Sequence, residues 1–203
     1  MIDEGIIKFN YHCEDDNCIE SSSTIQKLIE IHKNLFNLGL IGFDKVHQVS
    51  YGNSSFRNNL NNMVITASDC SRFEKISLEH LCIVKKVELS NNNVIYKGEK
   101  APSSESMTHY QCYQSSDEIN AVIHIHNKLI WNNYLNENKL KISKEIPYGT
   151  PEMALAVKKI IEEQPSSGCG IAMEGHEDGV IYVANSLESA MNLAIEDLKT
   201  VSK

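Results

Sequence analysis

The sequence predicts an α/β fold in which helices pack against a mixed or antiparallel sheet. Three observations support this class: amphipathic helical segments are interspersed with short β segments, residues 64–96 form a β meander, and the regular βαβ alternation of a parallel sheet is absent. The chain has 203 residues, of which 41% are hydrophobic and 23% are charged. This length and composition are typical of one globular domain and exclude fibrous or largely disordered proteins.

The N-terminal segment differs from the rest of the chain. Residues 1–22 are polar and irregular, and we interpret them as an arm that precedes a domain at 23–203. A short apolar run at 6–9 predicts a strand within the arm.

Four helices are predicted from their capping residues and from the spacing of apolar side chains. The first begins with Ser23 as its N-cap, and Gln26 closes a capping box. The second opens at Pro102-Ser103-Ser104-Glu105. The third opens at Thr150-Pro151-Glu152, where a hydroxyl cap precedes a proline and an acidic residue. The last helix has Asn185 as its N-cap.

The predicted strands are short runs rich in β-branched and other apolar residues. They lie at 64–66, 81–84, 87–89, 94–96, 121–126, 169–173 and 180–183. The polar Ser-Asn-Asn-Asn run at 90–93 predicts a turn between two of them.

Net charge and segment composition exclude several classes of partner. The formal net charge is −8, which argues against nucleic acid or an anionic membrane as the main partner. No apolar run reaches the roughly 18 residues of a membrane span, and the N-terminus lacks the order of a secretion signal. The six cysteines include no Cys-x-x-Cys pair. We therefore expect a cytoplasmic protein with reduced thiols.

Three histidines form a candidate metal site. His124 and His126 lie two residues apart in the predicted strand at 121–126, so their side chains share one face of the sheet. His176 follows an apolar strand, in a glycine-flanked turn. Three imidazoles with an open fourth position are typical of a catalytic zinc site. A His-x-His pair alone is more typical of two surface or core histidines than of metal ligands.

An acidic residue and two hydroxyls lie in the first turn of the second predicted helix. Glu105 either interacts with the helix dipole or serves as a general base, because a carboxylate beside a metal suits the removal of a proton from carbon. Ser103 and Ser104 either cap the helix or hold an anion at its N-terminus. Asn53 follows Gly52 and is compatible with a turn.

The order of these motifs resembles the class II aldolase/adducin family. The motifs are GNSSFR at 52–57, ITAS at 65–68, PSSES at 102–106, HYQCY at 109–113, NAVIHIHN at 120–127 and MEGH at 173–176. They agree with the family in order, spacing and type, and the resemblance covers about residues 24 to 200. The family includes fuculose phosphate aldolases, ribulose phosphate 4-epimerases and methylthioribulose phosphate dehydratases.

The resemblance implies a role for each candidate residue. The implied zinc ligands are His124, His126 and His176, the implied catalytic base is Glu105, and the implied phosphate-binding residues are Asn53, Ser68, Ser103 and Ser104. It also implies a three-layer α/β/α fold around a mostly antiparallel sheet, and a homotetramer with its active site near a subunit interface. Zinc is the expected cofactor, and another divalent metal is the alternative.

These roles together imply a zinc-dependent lyase. Its substrate is expected to be a small hydroxy-carbonyl compound or a sugar phosphate, and its reaction to pass through a metal-stabilised enediolate. Aldol cleavage, epimerisation and loss of water share this start, so a sugar phosphate dehydratase or 4-epimerase remains an alternative. A non-catalytic, adducin-like scaffold is a further alternative, but the presence of all three histidines and Glu105 argues against it.

The chain departs from the family pattern at a few positions. Asp69 stands where the family commonly has glycine, and so does the pair Glu177-Asp178 after the third histidine. Either the Asp69 carboxylate turns outward, or the substrate carries a neutral or cationic group in place of phosphate, since like charges repel. The catalytic tyrosine of the aldolases falls in a variable stretch, in which Tyr134 and Tyr148 are both in range.

Overall fold

A computed structural model describes residues 5–16, 19–164 and 168–202. The strands are β1 (Asn10–Asp15), β2 (Gly42–Asp44), β3 (Val49–Tyr51), β4 (Asn53–Arg57), β5 (Met63–Thr66), β6 (Leu81–Glu88), β7 (Asn93–Lys97), β8 (Ala121–His126), β9 (Lys141–Ile142), β10 (Gly168–Met173) and β11 (Gly179–Ala184). The α-helices are α1 (Ser23–Asn37), α2 (Ser106–Ser115), α3 (Lys128–Asn136), α4 (Pro151–Glu163) and α5 (Leu187–Val201). Short 3₁₀ helices lie at Cys70–Arg72, Leu78–His80 and Leu89–Asn91.

In this part of the chain one large sheet contains nine strands, in the order β1-β7-β6-β5-β4-β8-β11-β10-β9. Its pairs are antiparallel except at the two edges, where β1 pairs with β7 and β9 pairs with β10 in parallel. The remaining two strands, β2 and β3, form a separate antiparallel hairpin. The prediction of a mixed, mostly antiparallel sheet is therefore confirmed.

Apolar side chains cover both faces of the large sheet. Helices α1, α3 and α5 pack on one face, where Ile123 and Tyr182 contribute to the core. Helices α2 and α4 pack on the other face, where Val122 and Ile181 contribute. Neighbouring residues of one strand serve opposite cores because successive side chains point to opposite faces. The three-layer α/β/α arrangement is confirmed.

The predicted start of α4 is confirmed. The Thr150 hydroxyl accepts a hydrogen bond from the Met153 amide at 3.3 Å, and Pro151 occupies the first helical position, where no amide hydrogen is needed.

Two other predicted caps are wrong by one residue. Ser22, rather than Ser23, caps α1, and Ser186, rather than Asn185, caps α5. Each cap accepts a hydrogen bond from an amide three residues later, at 3.2 Å in α1 and 3.1 Å in α5. In both cases two capping residue types are adjacent, so composition alone does not identify the cap.

The predicted strand at 6–9 is also wrong, because the strand of the arm is β1, which begins at Asn10. Phe9 is buried in the core, and the Asn10 amide donates to the Asn92 carbonyl at 2.8 Å. An edge strand exposes most of its side chains, so β1 lacks the apolar pattern of a buried strand.

The segments predicted at 81–84 and 87–89 belong to one strand, β6, apart from Leu89, which begins a 3₁₀ helix. Lys85 and Lys86 are exposed at the point where the register with β7 shifts, and their polarity interrupts the apolar run.

Among the described residues, no helix has both the length and the apolar character needed to cross a membrane.

Candidate metal and substrate site

The three candidate histidines meet at one end of the central strands. His124 and His126 lie at the end of β8, and His176 lies in the turn between β10 and β11. The Nε2 atom of His126 is 3.1 Å from Nε2 of His124 and 2.8 Å from Nε2 of His176. The three imidazoles therefore direct nitrogen atoms toward one point.

Burial and hydrogen bonding keep His124 in the neutral form that binds metals. His124 is 1% exposed and His176 is 3% exposed. Burial, followed by the neighbouring imidazoles, holds the pKa of His124 well below its usual value, so its ring is neutral at physiological pH. The Nδ1 atom of His124 lies 3.2 Å from the Val180 carbonyl, which fixes a hydrogen on Nδ1 and leaves the Nε2 lone pair facing the cluster.

These residues fit a divalent metal ion. One ligand atom from each histidine lies within 4.8 Å of the others. Zinc binds imidazole nitrogen at about 2.0–2.1 Å, which in a tetrahedral site separates the nitrogens by about 3.3 Å. The observed separations of 2.8 and 3.1 Å are close to that value. One cation can accept the lone pairs of all three nitrogens. A hydrogen bond instead joins only two of the nitrogens and needs a proton on one of them.

Glu105 lies beside the histidine cluster. Its carboxylate oxygen Oε1 is 4.0 Å from Nδ1 of His176, and the residue is 2% exposed. The sequence had indicated that residues 102–105 form the first turn of the second helix. In the structure α2 begins at Ser106, so these residues lie in the segment before it. In this segment the Glu105 amide donates to the Ser103 hydroxyl at 3.3 Å.

The four candidate phosphate-binding residues, which we call the cradle, line one cavity together with Glu105. The cradle consists of Asn53, Ser68, Ser103 and Ser104. An isolated β bridge between Ala67 and Pro102 joins the two loops that carry its three serines. Asn53 pairs with His124 across β4 and β8, which connects the cradle to the histidine cluster. The Oδ1 atom of Asn53 is buried and has no hydrogen-bond partner among the described residues.

The Asp69 carboxylate is paired with neighbouring groups. It accepts a hydrogen bond from the Ser50 hydroxyl at 2.6 Å and lies 2.9 Å from Nε of Arg72. Its side chain is 53% exposed. The adjacent cation and hydroxyl reduce the repulsion that this charge exerts on an anion in the cradle.

The two candidate tyrosines lie in different environments. The Tyr148 ring is perpendicular to the His176 ring, with 4.2 Å between their centroids. Tyr134 instead donates to Asp197 at 2.7 Å on the opposite face of the sheet. Tyr148 is therefore the one of the two that borders the candidate site.

A family comparison agrees with this geometry. The model of the Class II Aldolase and Adducin N-terminal domain matches residues 26–200. The chain belongs to this family. A comparison with curated protein sequences found no significant match.

Solved structures of the same superfamily have a similar fold. An L-fuculose 1-phosphate aldolase is 25% identical, with a TM-score of 0.65, over 90% of this chain and 84% of the aldolase. YgbL from Klebsiella pneumoniae, a candidate aldolase, epimerase or decarboxylase, is 18% identical with a TM-score of 0.66, over 88% of this chain and 86% of YgbL. The L-fuculose-1-phosphate aldolase from Thermus thermophilus is 20% identical with a TM-score of 0.61, and 87% of each chain is covered.

The backbone explains one departure from the family pattern. Asp69 adopts a φ of +62°, in the left-handed region that favours glycine. Aspartate is among the few other residues that tolerate this conformation. The chain thus has a glycine-like backbone conformation where the family commonly has glycine. In the turn after His176, Asp178 rather than Glu177 has a positive φ, of +66°.

Sequence reasoning missed two residues, of which one shapes the site and the other fixes α2. A Cβ atom on Gly179 would lie 2.5 Å from Cδ2 of His176 and 3.1 Å from Cε1 of His124, so only glycine leaves room for both rings. Its small size next to a histidine-bearing strand was a usable signal.

Arg57 is the second missed residue. Its guanidinium donates to the carbonyls of Tyr113, Ser116 and Ile119, at 2.7–2.9 Å. It therefore fixes the C-terminal end of α2 and the following loop to β4, rather than being a simple surface charge.

Proposed function

We propose that this protein is a divalent-metal-dependent lyase of the aldolase type, acting on a small hydroxy-carbonyl or sugar phosphate substrate. The observation that carries the proposal is the convergence of three imidazole nitrogens, at 2.8 and 3.1 Å, beside the buried carboxylate of Glu105. His124, His126 and His176 are the proposed metal ligands, and zinc is the first candidate because three imidazoles suit it.

The proposed role of Glu105 is to move a proton during the reaction. A bound divalent ion supplies a Lewis acid that stabilises negative charge developing on substrate oxygens. The Glu105 carboxylate lies at the edge of the ligand cluster, 4.0 Å from the His176 ring, where it can reach a substrate bound beside the histidines. Its burial excludes bulk water from the proton that it moves.

The cradle is the proposed binding site for the far end of the substrate. The hydroxyls of Ser68, Ser103 and Ser104 are suitable donors for phosphate oxygens, and the buried Oδ1 of Asn53 can accept a hydrogen bond from a substrate hydroxyl. Pairing of Asp69 with Arg72 favours a phosphate over a neutral or cationic group. The names of two similar structures, which are L-fuculose phosphate aldolases, also favour a sugar phosphate.

A dehydratase or a 4-epimerase with the same metal site is the nearest alternative, because both reactions begin with the same charge stabilisation. Product analysis separates the three reactions: an aldolase releases two carbonyl fragments, an epimerase releases an isomer and a dehydratase releases water. A non-catalytic scaffold would need neither the three histidines nor a buried glutamate.

Replacement of Glu105 by glutamine tests the proposal. Glu105→Gln is nearly isosteric but cannot accept a proton, so turnover of a ketose phosphate should fall by about 100- to 10,000-fold. Zinc content and the unfolding temperature should be retained. Glu74→Gln, the same change at an exposed position, is the matched control. Near-normal turnover in Glu105→Gln would place the base elsewhere.

We further propose that the protein is a homotetramer, as the family resemblance implies. Light scattering at micromolar concentration should give four times the chain mass of 22.9 kDa. A monomeric mass would contradict this assembly without affecting the metal site.

A further inference from the structure

The N-terminal arm reaches the candidate site, although it precedes the segment that the family model matches. Gly5 lines the same cavity as the cradle. The Lys8 ammonium lies 3.7 Å from the centroid of the Tyr148 ring and donates to the Tyr148 carbonyl at 3.2 Å. Tyr148 in turn contacts His176. The arm thus touches both the cradle and the surroundings of the proposed metal ligands.

We propose that Lys8 is a substrate-binding residue that recognises the phosphate held by the cradle. The inference rests on the proposed function, because the cradle is the proposed phosphate site. It adds a residue from the arm to that site and makes the arm a determinant of substrate specificity.

The charges around the cradle support this assignment. Among the described residues that line its cavity there is no lysine or arginine, whereas Asp69 and Glu105 are acidic. The nearby Arg72 is paired with Asp69 and stacked on the Phe43 ring. A dianionic phosphate bound here needs a cation, since charge-assisted hydrogen bonds are the strongest contacts that a protein offers it.

Lys8 lies beside the turn that borders the cradle. A Cβ atom on Gly149 would lie 3.3 Å from the Ser104 carbonyl oxygen and 3.8 Å from Cδ of Lys8. The Lys8 stem and the cradle are therefore separated only by the turn at Gly149. Lysine has a flexible stem and three donors, so its ammonium can donate to a phosphate in addition to its other partners.

The backbone of Lys8 is held in place from both sides. Its carbonyl accepts a hydrogen bond from the Asn92 side chain at 2.8 Å, and the next residue, Phe9, is buried in the core. Strand β1 follows directly and pairs with β7. A fixed backbone lowers the entropic cost of using this side chain for binding.

The arm also forms part of the cavity wall. The cavity has a volume of about 20 Å³ with Gly5 in its wall. That is enough for a water molecule, which needs roughly 10–15 Å³ on this scale, and too little for a phosphate. Phosphate binding therefore requires this cavity to widen, and Gly5 is the part of its wall that belongs to the arm.

Calorimetric titration of the zinc-loaded full-length protein tests the proposal. The probes are inorganic phosphate and the uncharged ketose dihydroxyacetone. Lys8→Met keeps an apolar stem against Tyr148 and removes the charge, so it should weaken phosphate binding about tenfold or more, with dihydroxyacetone binding and zinc content unchanged. Lys8→Arg should restore most of the phosphate affinity. Lys199→Met, which removes the same charge from an exposed position on α5, should behave as the wild type.

Other outcomes overturn the inference. Equal phosphate affinity in the wild type and Lys8→Met, or no phosphate binding by the wild type, would show that Lys8 does not serve a phosphate. Equal weakening of phosphate and dihydroxyacetone would indicate that Lys8 only supports the local structure. Failure of the proposed function is a different result: zinc or ketose phosphate turnover would then be absent from the wild type, whatever the effect of Lys8→Met on phosphate.

Discussion

Two clusters of buried polar side chains lie on opposite faces of β8 and β11. On one face, the Asp197 carboxylate accepts hydrogen bonds from Tyr134 at 2.7 Å and Tyr182 at 2.9 Å, and Lys139 lies 3.3 Å away. On the other face, His124, His126 and His176 direct nitrogen atoms at one another. We call these the aspartate cluster and the histidine cluster.

The difference between the clusters is the balance of donors and acceptors. In the aspartate cluster two hydroxyl donors and one ammonium meet one carboxylate, so the protein satisfies its own polar groups. Burial, followed by the negative charge of Asp197, raises the pKa of Tyr134, which keeps its donor in place. In the histidine cluster three imidazole nitrogens converge, with contacts of 2.8 and 3.1 Å. Tyrosine and lysine donors around one carboxylate suit a structural role, whereas converging imidazoles suit a bound metal ion.

Removal of the central acid should have the largest effect on stability. Asp197→Ala leaves two buried tyrosine hydroxyls without their acceptor, so the free energy of unfolding should fall by about 2–5 kcal/mol. Zinc affinity should be unchanged, because the cluster lies on the opposite face. Asp117→Ala, which removes a fully exposed partner of Arg57, should cost less than about 1 kcal/mol. Chemical denaturation and zinc titration measure both quantities, and a parallel loss of zinc would mean that the clusters are coupled.

Crowding of the histidine cluster should mainly lower zinc affinity, whereas loss of Asp197 should mainly lower stability. Gly179→Ala brings a methyl group against the His124 and His176 rings, so zinc affinity should fall more than tenfold, while overpacking costs about 1–3 kcal/mol of stability. Gly168→Ala is the matched control, since its methyl group would crowd the Val183 carbonyl at 3.0 Å and a Leu193 methyl at 3.2 Å, away from the histidines. If both variants bind zinc equally, the shape of the histidine cluster does not depend on Gly179.

Much of the fold follows from local sequence signals. The boundaries of β8 were predicted to the residue, and the start of α4 was correct, because a continuous apolar run and a Thr-Pro-Glu sequence each have one interpretation. The caps of α1 and α5 were missed where two polar residues compete for the same position. The position of β1 was missed because its pairing with β7 joins segments about 80 residues apart.

In the candidate site, too, some features could be predicted from the sequence and others could not. The spacing of His124 and His126 on one strand was enough to predict that they share a face, and the family resemblance supplied His176 and the cradle. The roles of Arg57 and Lys8 could not be predicted, because each depends on contacts between distant segments, whereas Gly179 was a local signal that could have been used. Lys8 illustrates this most clearly, since its partner Tyr148 is 140 residues away in the sequence.

The zinc content of three purified proteins tests the account most directly. Wild-type protein and Tyr134→Phe, which alters only the aspartate cluster, should each hold about one zinc ion per chain, and His124→Ala combined with His126→Ala should hold none. Mass spectrometry of the metal after dialysis against a weak chelator gives these values. Full retention of zinc in the double variant, or its absence from the wild type after loading, would contradict the assignment of the histidine cluster as a metal site.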